Sequence, residues 1–102
     1  MPPALPPNNV FALPQTSCVR HVNDPQYGTV IDYWVPVRTG DWARDNALGR
    51  SYARHEIQAM QKSGSTIRLV AIMRAIVSKG HYDGVEAGFV QEVASRVLET
   101  EA

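Results

Sequence analysis

One cysteine and three histidines are the residues of this chain best suited to metal or nucleophilic chemistry. Cys18 and His21 stand three apart, and His55 and His81 would have to complete a four-ligand zinc set of thiolate and imidazole donors. The pattern argues against it, because structural zinc sites bring a second paired motif and both remaining histidines are single residues. In a strand over residues 18–22, Cys18 and His21 would also point to opposite faces. No metal or other cofactor is expected.

Other catalytic constellations are equally thin. A lone cysteine such as Cys18 is more often a small core hydrophobe than a thiolate nucleophile. Ser51, in Gly49-Arg50-Ser51-Tyr52, lacks the second glycine of a nucleophile elbow and falls inside a predicted helix. Lys62-Ser63-Gly64-Ser65 has the residue types of a phosphate loop in the wrong order, without the leading glycines. His81 and Asp83 sit among glycines where turn and cap chemistry explains them. Glu86 and Glu92 are separated by about 240° around a helix, so they cannot share one face as an acid–base pair. A non-enzymatic protein is the expectation.

Arginine and tryptophan offer recognition chemistry instead. Eight of the ten cations are arginine, whose guanidinium suits bidentate contacts to phosphate and base edges. Arg44, Arg50 and Arg54 fall on the first predicted helix, and Arg68, Arg74 and Lys79 on the second, which has no acid. The third carries four glutamates and one arginine, an unsuitable surface for reading nucleic acid. If the second and third helices run antiparallel, Arg68 comes level with Ser95, one turn from Glu92 and Glu99, and intramolecular pairing accounts for the charge split. Trp34 and Trp42 flank the join between the N-terminal half and the helices, with Tyr33 and Tyr52 nearby. Aromatic residues with arginine are the usual anchors of protein interfaces. The candidate partner-binding residues are therefore Trp34, Trp42, Arg44, Arg50 and Arg54.

The elements that must position these side chains follow from local signals. Five prolines at positions 2, 3, 6, 7 and 14 make residues 1–16 an extended tail, unsuited to the apolar core of a signal peptide. Residues 17–102 form one domain. A hairpin over about 18–36 is expected from the β-branched runs Cys18–Val22 and Thr29–Val35, joined through Asp24-Pro25 and Gly28. Being marginal alone, it should pack on the helices. Three helices follow, at about 41–62, 66–79 and 84–99. Asp41 and Asp83 offer N-caps, Ser65 or Thr66 a third, and Gly64 and Gly80 the stops. Gly49 and Ala53 share a stripe with Trp42, Ile57 and Met60, where a neighbouring backbone can come close. The second helix is apolar at nearly every position and reads as the most buried of the three. Val85, Phe89, Val90, Val93, Ala94, Val97 and Leu98 give the third a broad apolar face, wide enough to support a homodimer.

Length and charge set the outer limits. A chain of 102 residues buries about 65% of its unfolded surface on folding, enough for one core. Ten acids cancel ten bases, so no overall field draws the protein to nucleic acid or anionic lipid. The single cysteine excludes an internal disulfide framework, and no apolar run reaches membrane-spanning length.

The segments Gly49-Arg50-Ser51-Tyr52-Ala53, Met60, Gly80 and Val85-Glu86-Ala87-Gly88-Phe89 resemble small uncharacterised proteins of bacterial and phage genomes. The resemblance covers roughly residues 41–98. It brings no assigned activity and implies only a bacterial or mobile-element, cytoplasmic setting. The expected protein is a mainly α three-helix bundle with a small N-terminal β-hairpin and an extended Pro-rich tail. It should act as a protein-binding or regulatory module, with a protein partner or self-association and no membrane. The second reading is a nucleic-acid-associated regulator using the arginines of the first helix.

Overall fold

The structure, a computed structural model, describes residues 17–101. The expected Pro-rich tail lies outside the described residues. Strand β1 (Arg20–Asp24) pairs antiparallel with β2 (Gly28–Asp32), in register from Arg20 opposite Asp32 to Asp24 opposite Gly28. The Asp24 carboxylate closes the turn by accepting the N–H groups of Gln26 (2.8 Å) and Tyr27 (3.0 Å). Pairing ends at Asp32, before the expected limit at Val35, because its side chain accepts the Trp34 N–H (3.1 Å) and turns the chain. One backbone bond beyond it, Val35 N–H to the Cys18 carbonyl (2.7 Å), ties the base of the hairpin together.

The paired strands themselves are largely exposed, and the hairpin packs on the helices through its base alone. It is held at its base: Cys18 and Trp34 enter the core, and Lys79 Nζ bonds Asp32 Oδ2 (2.8 Å) and the Trp34 carbonyl (2.7 Å).

Three helices follow: α1 (Trp42–Ser63), α2 (Ile67–Lys79) and α3 (Gly84–Glu101). Asp41 caps α1 by accepting the Arg44 N–H (3.0 Å). At α2 the cap side chain is Ser65, whose hydroxyl accepts the Ile67 N–H (3.3 Å). At α3 the capping is reciprocal. Asp83 Oδ1 accepts the Gly84 N–H (2.9 Å), and Glu86 Oε1 reaches back to the Asp83 N–H (2.8 Å).

Most of the tertiary packing is between α1 and α3, and glycine makes it that close. A β-carbon on Gly49 would lie 2.0 Å from the Val85 carbonyl oxygen, and one on Gly88 would lie 2.0 Å from that of Asn46. The backbones cross where each helix lacks a side chain, as the Gly49–Ala53 stripe anticipates. Around the crossing sits the core: Cys18, Trp34, Tyr52, Ala53, Ile72, Ile76, Val85 and Phe89. Trp34 sets its ring edge-to-face against Tyr52 (centroids 6.2 Å apart) and Phe89 (5.2 Å).

The second helix departs from expectation. Only Ile72 and Ile76 of α2 are buried, whereas six residues of α1 are. Its apolar composition over all sides was read as central burial. In a three-helix arrangement dominated by α1 and α3, α2 is covered on one side only, and the rest of its apolar surface is left outside.

Candidate functional site

Three places in the fold gather chemistry: a buried carboxylate at the start of α3, an arginine cluster across α1 and α3, and an apolar groove beside α2.

The buried carboxylate is Glu86, fully enclosed. The segment from Trp34 to Asp41 runs over the ends of α1 and α3 and is fastened there by polar contacts. Trp34 Nε1–H donates to Glu86 Oε2 (2.9 Å), and the Arg38 guanidinium straddles both carboxylate oxygens, with Nη1 to Oε1 at 3.0 Å and Nη2 to Oε2. With the Asp83 N–H on Oε1, the carboxylate has four donors. Burial alone would raise its pKa, but the Arg38 and Trp34 hydrogen bonds outweigh it, with backbone N–H groups adding to them. They hold the carboxyl at about 2, against an ordinary 4.5. Asp45 repeats the design: burial opposes ionisation, yet the Thr39 N–H and hydroxyl and the Gly40 N–H keep it below the usual carboxylate range. The Tyr52 hydroxyl accepts the Val37 N–H (3.0 Å) on the same segment. Glu86 has a donor for each of its four lone-pair sites, and Asp45 accepts three. Their chemistry is positional: they fasten a segment of irregular chain to two helices.

The arginine cluster surrounds Glu92 on α3. Arg50 (3.5 Å), Arg54 (3.4 Å) and Arg96 (3.5 Å) all approach its carboxylate. Arg50 also donates to Gln91 (3.1 Å) and to the Asn46 side chain (3.1 Å). Glu92 therefore pairs with α1, not with α2 as expected. Arg68 of α2 likewise turns to α1, with its Nε 2.7 Å from Glu56 Oε1. The expected pairing of Arg68 with the acids of α3 is therefore replaced by pairing of both helices to α1.

The five candidate partner-binding residues are thereby separated. Trp34 is 1% exposed and presents no surface to a partner, so it belongs to the core. Arg50 and Arg54 are committed in part to Glu92. Trp42 is 55% exposed at the start of α1, and Arg44 beside it has only a distant ion pair with Asp41 (4.0 Å).

The third place was missed in the sequence. Beside α2 runs an open groove of about 460 Å³, lined on α2 by Leu69, Val70, Met73, Arg74, Val77 and Ser78 and on α3 by Val93. A second hollow of about 260 Å³ shares Met73 and Val77 and continues towards Tyr82 and Val90. Val70 is 52% exposed, Val77 80%, and Leu98, further along α3, 74%. Arg74 is the only charged residue lining the groove, and it makes no ion pair among the described residues. A signal for this surface does exist in the sequence: nine of the thirteen residues of α2 are apolar, too wide a surface for two neighbouring helices to cover.

The remaining nucleophile and metal candidates are dispersed. Cys18 is fully buried, and burial together with the nearby Glu56 charge pushes its thiol up to about 12. A thiol so poised is protonated and shielded, the reverse of a reactive thiolate. Among the described residues no group of three His, Cys, Asp or Glu is placed to hold a metal ion. No helix among them is long and apolar enough to cross a membrane. None of the family models, curated proteins or solved structures compared with the chain matches it significantly.

Proposed function

We propose that the protein is a non-enzymatic binding module that recognises a protein partner through the α2–α3 groove, in a cytoplasmic setting. The observation that carries this reading is the pair of exposed apolar side chains lining the groove, Val70 and Val77, set beside half-buried Leu69, Met73 and Val93, with exposed Leu98 further along α3. Continuous apolar surface of this kind marks interaction sites on small domains. A groove flanked by two helices suits the apolar face of a third, read through side chains spaced three and four apart. The two buried carboxylates are spent on holding the Trp34–Asp41 segment to the helices, which gives the groove a fixed scaffold.

The test is capture from host lysate on immobilised wild-type protein and on Val77→Asp, with and without nuclease. A protein that survives nuclease and is lost from Val77→Asp is the expected result. Capture that disappears with nuclease and with Arg44→Glu, but tolerates Val77→Asp, would replace this reading with a nucleic-acid contact through Arg44, Arg50 and Arg54. Phosphate contacts would also make that binding fall steeply with salt.

A further inference from the structure

We infer that the partner seated in the groove is a second copy of this chain, with the C-terminal half of α3 from each copy lying against α2 of the other. The inference rests on the reading of the groove as a docking surface and names its occupant.

The chain itself carries a helix of the right form. Val90, Val93, Ala94, Val97 and Leu98 stand at i, i+3, i+4, i+7 and i+8 along α3, the spacing of a single apolar stripe. Val93 already lines the groove of its own copy, while Leu98 projects beyond it, 74% exposed. From Val90 to Leu98 the stripe runs about 12 Å, and the exposed α2 edge from Val70 to Val77 runs about 10 Å, at 1.5 Å per residue. Two apolar surfaces of comparable length thus lie on one chain.

Charge selects how they meet. α2 holds Arg68, Arg74 and Lys79 and no acid. Arg68 and Lys79 are engaged with Glu56 and Asp32, which leaves Arg74 as the cation facing the groove. α3 ends in sequence with Glu99 and Glu101 directly after Leu98; Glu99 is exposed and its one ion pair among the described residues is to Arg96 at 3.7 Å. Packing α2 on the other copy's α2 would set Arg74 beside its own image. Packing α2 on the other copy's α3 brings a cationic helix to an acidic one, and Arg74 gains anions nearby. A two-fold axis then fills both grooves at once, which closes the assembly at two chains.

The test is the mass of the full chain in solution, by sedimentation equilibrium at roughly 5 and 200 µM. The wild type is expected to rise from one to two chains over that range. Val77→Asp and Leu98→Asp should each weaken association by about tenfold or more, since each sets a carboxylate into an apolar contact. Circular dichroism should show both variants as helical as the wild type. A monomeric wild type at both concentrations overturns the inference, as do variants that dimerise normally. If the monomer still loses its lysate partner on Val77→Asp, the docking surface stands and only its occupant was misassigned. If that substitution changes nothing in either experiment, both readings fall.

Discussion

The two flanks of α3 obey opposite rules. Towards α1, backbone meets backbone at Gly49 and Gly88, and Glu92 gathers arginines from across the seam. Towards α2, valines and a leucine stand partly in water, and Arg74 has no anion among the described residues. One flank is complete within the chain, and the other has the character of half an interface. Hydrophobic burial accounts for the difference: a small domain with one core leaves part of a largely apolar helix such as α2 uncovered.

That contrast can be broken most forcefully at the crossing. Gly49→Val should cost about 3 kcal/mol or more, because the added side chain meets the Val85 carbonyl and neither backbone can yield without separating the helices. Chemical denaturation read by circular dichroism checks it, and a loss under 1 kcal/mol would mean the crossing is looser than described. Next comes Glu86→Ala, which strands Arg38, the Trp34 indole N–H and the Asp83 N–H together. A loss of about 3 kcal/mol is expected, with most of it restored by no apolar replacement of similar size.

Acid probes the same carboxylate without a mutation. Its folded pKa, near 2, lies below its ordinary value of 4.5, so its contribution is complete above pH 4.5 and disappears as the pH falls towards 2. The wild type should therefore lose about 3 kcal/mol across that window, and Glu86→Ala should show a visibly flatter profile. Identical profiles for the two proteins would remove Glu86 from the account. At the small end, Val77→Asp in dilute protein should shift stability by no more than about 0.5 kcal/mol, since the side chain is 80% exposed. A large loss there would show that the open flank is closed in solution by something within the chain.

The parts legible from the sequence are those written in local chemistry. Asp24 and Gly28 announce the hairpin, Asp41, Ser65 or Thr66, and Asp83 announce three helix starts, and Gly49 announces a close approach, each through neighbours within a few residues. Long-range partners were not legible. Glu86 meets Trp34 and Arg38 across 52 and 48 positions, and nothing in its own helix signals that meeting. Reading α2 as the most buried helix failed for a related reason. Composition shows how much apolar surface a helix has, whereas the packing of its neighbours decides how much is covered. Of the candidate binding residues, Trp34 illustrates the limit best, because an anchoring aromatic in the core and one at an interface look alike in sequence.

The separation of the two tryptophans has an optical consequence. Trp34 is enclosed against Phe89 and Tyr52, while Trp42 stands in solvent at the head of α1. Fluorescence from the folded protein is then the sum of a blue-shifted, quencher-resistant emitter and a red-shifted, quencher-accessible one. Trp42→Phe isolates the first, whose indole N–H touches the Glu86 carboxylate. The remaining signal becomes a built-in gauge of whether the Trp34–Asp41 segment is fastened, readable at concentrations too low for any dimer to form.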